Sequence, residues 1–261
     1  MSKRKKTNQL LEDDLSLISE MKLKSNNDNS FITPQSIPKI HIKHKNKNQS
    51  NFTTLIESKE IIICAGPAGT GKSHLSVAKA LELLQDPNTP YNKINIITPA
   101  VESEEKLGFL PGDLLEKLQP YLFSTYYLID KIIGRDMRNK LVNSNIIEPI
   151  AVGFLRGINI DNSILIFEEA QNSSITTMKT LLTRIGKNSK FIISGDLEQI
   201  DNERLKTKKN SGLQFAVENL LNIPEIGIFI FNKEDIVRNP IISTIIDRFD
   251  KRISDDNNKL S

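Results

Sequence analysis

The stretch Glu60-Ile61-Ile62-Ile63-Cys64-Ala65-Gly66-Pro67-Ala68-Gly69-Thr70-Gly71-Lys72-Ser73 decides the fold. Its first half is a continuous apolar run rich in isoleucine, the pattern of a strand buried on both faces. Its second half satisfies G-x-x-x-x-G-K-[ST], in which glycines free backbone N–H groups to wrap phosphate oxygens at the start of a helix. In that motif Lys72 reaches the β- and γ-phosphates and the Ser73 hydroxyl ligates Mg2+. His74 is the last residue of this nucleotide-contacting run. So short a pattern also arises by chance. Here, however, a strand pattern precedes it and a helical pattern follows, as the phosphate-binding geometry demands.

The same texture extends in both directions from the loop. Leu75, Ala78, Leu81 and Leu84 line one face of a helix expected over 72–84. Further strands are expected at 94–98, 147–152, 163–167, 190–194 and 227–231, and further helices at 175–185, 211–221 and 241–252. Apolar strands alternating with helices predict an α/β fold, a mostly parallel sheet between helix layers. One nucleotide-binding domain is expected over 48–252. Residues 1–47 are expected to be a polar basic tail without fixed structure, because tracts such as Lys24-Ser25-Asn26-Asn27-Asp28-Asn29-Ser30 have nothing to bury. Residues 253–261 are read as a flexible C-terminus.

The chain has 261 residues, 38% of them apolar and 26% charged, which suits a soluble core with extra polar sequence. Its longest apolar runs fall short of the roughly 20 residues of a membrane span. The opening residues lack the form of a secretory signal. The single cysteine, Cys64, cannot form an intramolecular disulfide, and a reducing cytoplasm is the expected location. The net charge of +3 is uneven. Residues 1–50 hold ten Lys/Arg and five Asp/Glu, leaving 25 and 27 for the remainder. Lys43-His44-Lys45-Asn46-Lys47 is therefore either a contact for nucleic-acid phosphates or a solvated tail, and charge alone does not choose between them.

A second strand, Ser163-Ile164-Leu165-Ile166-Phe167, ends in Glu168 and Glu169. Acids at the carboxyl end of a buried strand are costly unless they meet a metal or hydrogen-bond donors. Glu168 is the expected Mg2+ ligand beside Ser73, and Glu169 the group that polarises the attacking water. The plainer alternative is that both acids favour the positive end of a following helix. A third strand runs into Gly195-Asp196-Leu197-Glu198-Gln199, on the edge where α/β sheets place ligands. Gln199 is the expected γ-phosphate sensor there, although an ordinary Gly-Asp turn has the same sequence.

Several segments now combine. They are Gly66 to Ser73, Pro99-Ala100-Val101-Glu102, Glu105 to Asp113, Glu169-Ala170-Gln171, Thr183-Arg184-Ile185-Gly186, Ser194-Gly195-Asp196 with Gln199-Ile200-Asp201, and Val237-Arg238 before Pro240. Over about residues 48–248 the sequence resembles the PhoH-like family of phosphate-starvation-inducible ATPases. The resemblance implies a RecA-like fold, ATP and Mg2+ as ligands, and ATP hydrolysis linked to RNA. It further implies that Asn48-Gln49 corresponds to the helicase glutamine motif, with Gln49 reading adenine, although the pair is otherwise unremarked polar sequence. Arg184 and Arg238 become candidates for charge stabilisation at the γ-phosphate. Delivery of such an arginine by a neighbouring subunit would explain assembly as a homo-oligomer such as a hexameric ring.

Three positions depart from the family pattern. Glu168 stands where the family has Asp, Thr98 where it generally has Arg, and Ile158 where a second Arg often follows Arg156-Gly157. These departures keep a non-catalytic, ATP-gated adaptor open as an alternative. A ribonuclease with secondary ATP use is a second alternative, without a recognisable nuclease centre. Three scattered histidines and one cysteine make no zinc site. Cys64 is read as packing, and Phe109, Tyr121, Tyr126 and Tyr127 as core residues before base-stacking ones.

Overall fold

The computed structural model describes residues 32–98, 114–200, 205, 210–237 and 248, with backbone only for 114–121. The elements below belong to the compact unit that begins at Pro34. Six strands form one sheet: β1 (Ile61–Ala65), β2 (Lys93–Thr98), β3 (Ile147–Ala151), β4 (Ser163–Phe167), β5 (Lys190–Gly195) and β6 (Ile226–Ile230). Their order is β3-β2-β4-β5-β1-β6 and every pair is parallel. The strand ends fall within a residue of those read from the apolar runs. β1 and β4 are buried along their whole length, as two-sided cover requires.

Helix α1 (Lys47–Ser58) precedes β1, α2 (Lys72–Gln85) links β1 to β2, and α3 (Leu114–Ile133) and α4 (Arg135–Asn143) lie between β2 and β3. Helices α5 (Ile175–Leu182) and α6 (Gly212–Asn219) follow β4 and β5. Helices α1 to α4 pack consecutively, and α5 packs on α6. Alternate strand residues Ile61, Ile63, Leu165, Phe167, Phe191 and Ile193 form one core cluster with Met178, Leu181, Leu213 and Ala216 of α5 and α6. The period of two turns Ile62, Ile164, Ile166 and Ile192 to the opposite face. Each fully buried Leu or Ile contributes about 1.5–3 kcal/mol.

Some expectations change. Helix α5 stops at Leu182, three residues before the expected end, and α6 spans Gly212–Asn219. The expected helix over 241–252 lies outside the described residues except at Arg248. Within the stretch read as a tail, Pro34–Ser36 form a 3₁₀ turn, and Ile37 and Ile40 are buried. Gln85 holds the Ile37 carbonyl with its side chain. The polar composition concealed two isoleucines with a place to go. Tyr127 is half exposed and stacks on the exposed Phe123, so this pair is not core. Ile158 is exposed as well. Among the described residues no helix is long and apolar enough to cross a membrane.

Candidate nucleotide site

The site is assembled at the carboxyl edge of the sheet. Gly66, the first loop residue, donates its N–H to the Gly195 carbonyl at 3.3 Å, so the loop leaves β1 still tied to β5. Gly69 and Gly71 both have φ +92°, a conformation that strains any residue with a Cβ. Gly71 is the N-cap of α2 and supplies no side-chain cap, so the helix presents its first N–H groups and positive dipole end to the loop cavity. That is a cradle for an anion.

Lys72 opens the helix. Its ammonium donates to the Gly66 carbonyl at 2.6 Å and the Pro67 carbonyl at 2.9 Å, which holds it over the loop. Burial pulls it below the ordinary lysine value. Cys64, Asp196, Glu168 and Glu169 oppose that shift. Thr70 closes the turn through its hydroxyl to the Pro67 carbonyl at 3.1 Å. Ser73 hydrogen-bonds Glu168, and His74 is exposed on the first turn.

The strand order explains the rest. β5 lies between β1 and β4 and bridges the phosphate loop to the acids. The register Phe167↔Ile193 sets Glu168 beside Ser194, whose hydroxyl donates to Glu168 at 2.9 Å. Burial raises the Glu168 carboxyl above its usual range, and the two serine hydrogen bonds oppose this. Glu168 and Ser73 are hard oxygen donors in direct contact, a pair that fits a magnesium ion. Among the described residues no group of three His, Cys, Asp or Glu forms a separate metal cluster.

Glu169 takes a left-handed backbone, φ +55°, at the start of the 3₁₀ turn Ala170–Asn172. Gln171 is fully buried and joins three loops. Its Nε2 donates to Glu169 Oε2 at 2.7 Å and to the Gln199 carbonyl at 3.2 Å, while its Oε1 accepts from the Asp196 N–H at 3.0 Å. Asp196 Oδ2 in turn accepts the Ala68 N–H at 3.1 Å. An unbroken path therefore runs from Glu169 through Gln171 and Asp196 to the phosphate loop. A Cβ on Gly195 would collide with Gln171 Oε1, so only glycine admits this approach.

The sequence reading did not single out Gln171 or Ser194. Ser194 had a usable signal, a polar residue ending an otherwise apolar strand. Gln171 had none beyond the family motif. Gln199 is anchored through its backbone, and its side chain is exposed.

Gln49 is buried on α1, donating from Nε2 to the Thr70 carbonyl at 2.9 Å and accepting the Lys45 N–H on Oε1 at 2.7 Å. Both ends of its amide are bonded to protein backbone, so the side chain braces the loop. The rings of Phe52, Phe229 and Phe231, 4.8–5.5 Å apart, seat α1 against β6 for this contact. Val237 N–H donates to the Gly69 carbonyl at 3.0 Å. Arg238 lies outside the described residues.

Arg184 lies at the opposite edge. Its carbonyl accepts from Ile160 N–H, ahead of the β4 start, while the acids follow the β4 end. It cannot serve the loop of its own chain. Thr98 is buried at the end of β2 with its hydroxyl unpartnered, where the family pattern has Arg. Cys64 is fully buried beneath the loop, and burial pushes its thiol up, which fits packing and not reactivity.

The family model described as "PhoH-like protein" matches residues 41–250. The chain is 39% identical over 211 residues to the PhoH-like protein of Bacillus subtilis, covering 81% of this chain and 65% of that one. It is 36% identical over 208 residues to the PhoH-like protein of Mycobacterium leprae, covering 80% and 58%. It is 35% identical over 199 residues to Protein PhoH of Escherichia coli K12, covering 76% and 55%. The chain thus spans between half and two thirds of the length of these relatives.

Proposed function

The chain belongs to the PhoH-like family, and from that premise we propose that it is a Mg2+-dependent ATPase whose turnover is coupled to RNA. One observation carries the ATPase half: Lys72, Ser73, Glu168 and Glu169 converge at the uncapped start of α2. The RNA half draws on the family.

The N–H groups of the loop and of α2 bind the β- and γ-phosphate oxygens. Lys72 exchanges its two loop carbonyls for those oxygens and offsets charge as the γ-phosphoryl departs. Glu169 accepts hydrogen from the attacking water. Gln171 holds Oε2 of Glu169, leaving Oε1 for that contact. Ser73 and Glu168 would hold magnesium, which when bound would neutralise phosphate charge. Asp196 latches Ala68 and keeps the loop in register with the acids. Gln49 acts as a brace on Thr70. An arginine completes the site: Arg238 follows Val237, whose N–H bonds the loop of its own chain, whereas Arg184 would reach a loop only from a neighbouring copy in a homo-oligomer.

The test is ATP turnover with and without single-stranded RNA. Lys72→Ala is expected to lower turnover at least about 100-fold with the fold intact by circular dichroism. Wild-type turnover in that variant sinks the mechanism.

A further inference from the structure

The basic run flagged in the sequence is not a loose tail. From Lys39 to Lys47 the exposed side chains are Lys39, His41, Lys43, His44, Lys45 and Lys47. Ile40 is buried and Ile42 half-buried, so from 39 to 43 the segment alternates outward and inward as extended chain does. No Asp or Glu occurs between Asn29 and Ile56. Among the described residues none of the four lysines is in an ion pair. The result is a run of cations without acidic partners; along the extended stretch 39–43 alternate residues lie about 6.6 Å apart, and Lys45 and Lys47 continue the run to the start of α1. That step resembles the step between successive phosphates of a single nucleic-acid strand.

We propose that residues 39–47 form a track for the phosphate backbone of single-stranded RNA, and that the track reports to the ATP site through Gln49. The proposal rests on the ATP-and-RNA reading above and names where the RNA lies. A membrane surface fits less well, because the isoleucines turn inward and no apolar side chain is offered to lipid. The track carries no Phe, Tyr or Trp, so its four lysines grip the phosphate backbone in preference to the bases.

The link is short. The Lys45 N–H is bonded to Gln49 Oε1, Gln49 Nε2 to the Thr70 carbonyl, and the Asn46 side chain caps α1 by accepting the Gln49 N–H at 2.9 Å. A strand seated on Lys43, Lys45 and Lys47 therefore pulls on the residue that braces the phosphate loop. ATP in the loop acts back on the track by the same bonds, as linkage requires.

The experiment measures binding of a labelled oligouridylate by fluorescence anisotropy across a salt series, with ATP turnover in parallel. In the triple variant Lys39→Gln/Lys43→Gln/Lys47→Gln, losing three phosphate contacts at about 0.7 each lowers the slope of log affinity against log salt by about 2. RNA stimulation of turnover falls with it, while turnover without RNA stays within about twofold. The triple Lys→Arg variant retains the wild-type slope. Gln49→Ala keeps the slope and loses the stimulation.

An unchanged slope in the Gln variant, with wild-type RNA binding intact, overturns the track alone. Wild-type ATP turnover without any RNA binding overturns the track and the RNA half of the proposed function together. Loss of all turnover in the wild type strikes the ATPase reading. Binding to phosphatidylserine vesicles in preference to the oligouridylate also overturns the track.

Discussion

Two buried lysines stand at opposite ends of the sheet. Lys72, at the carboxyl edge, and Lys190, at the amino edge, are 8% and 3% exposed. Each ammonium is held by two main-chain carbonyls: those of Gly66 and Pro67 for Lys72, and those of Glu57 and Lys59 for Lys190. Burial alone does not separate them. Their neighbours do. Lys72 lies in the field of Asp196, Glu168 and Glu169 at an uncapped helix start. Lys190 sits at the C-terminal end of α1, where a cation satisfies the last carbonyls, with only Glu60 and Glu57 acting on it. In the proposed function the first is a phosphate handle, because helix N–H groups converge beside it, and the second is a helix cap.

The largest expected effect at the carboxyl edge is that of Glu169→Gln, which lowers kcat about 100- to 1,000-fold while ATP binding persists. Turnover near wild type would make Glu169 another helix-start acid and erase the contrast. Gln171→Ala is expected to lower kcat by about 10- to 100-fold with KM for ATP little changed, because it frees Glu169 while Asp196 keeps its own bond to the Ala68 N–H of the loop. A change confined to KM would assign Gln171 to the loop.

At the amino edge the effect is on stability and its pH dependence. Burial lowers Lys190 to about 8 from an unfolded value near 10.5. Below about pH 8 both states bind the proton and the native state bears the full cost. Between about pH 8 and 10.5 the unfolded state binds more protons, so stability rises with pH. Denaturant unfolding of the wild type, compared with Lys190→Met, is expected to show a relative gain of a few kcal/mol across that window, with ATP turnover within about twofold. A flat difference would mean the carbonyls fully compensate the burial. The smallest effect is that of Arg184→Ala, less than about twofold in turnover, since Arg184 lies at the far edge from the loop. A larger loss would reveal delivery from a neighbouring copy.

The sheet was legible because its strands are contiguous apolar runs, and burial on two faces leaves little freedom in where they end. The phosphate loop was legible because its residues are adjacent in sequence. Helix α1 was not: Lys47-Asn48-Gln49-Ser50-Asn51-Phe52-Thr53-Thr54 is polar, with little helical propensity, and packing of Phe52 on Phe229 and Phe231 decides its place. Helix α3 is not among the expected helices, and Pro120 in its interior interrupts the helical sequence pattern. Gln171 was opaque because its meaning lies in partners 25 and 28 residues away, brought near only by the insertion of β5 between β1 and β4.

In the proposed mechanism Glu169 is where the interests of folding and catalysis part. A non-glycine residue in the left-handed region costs about 1–2 kcal/mol, and nothing in the hydrophobic core asks for it. The turn would rest more easily with glycine, as a bare, unreactive corner. In the proposed mechanism the glutamate at this corner, pinned by Gln171, is the group that meets the attacking water, so relaxing the turn with glycine would come at the expense of the reaction.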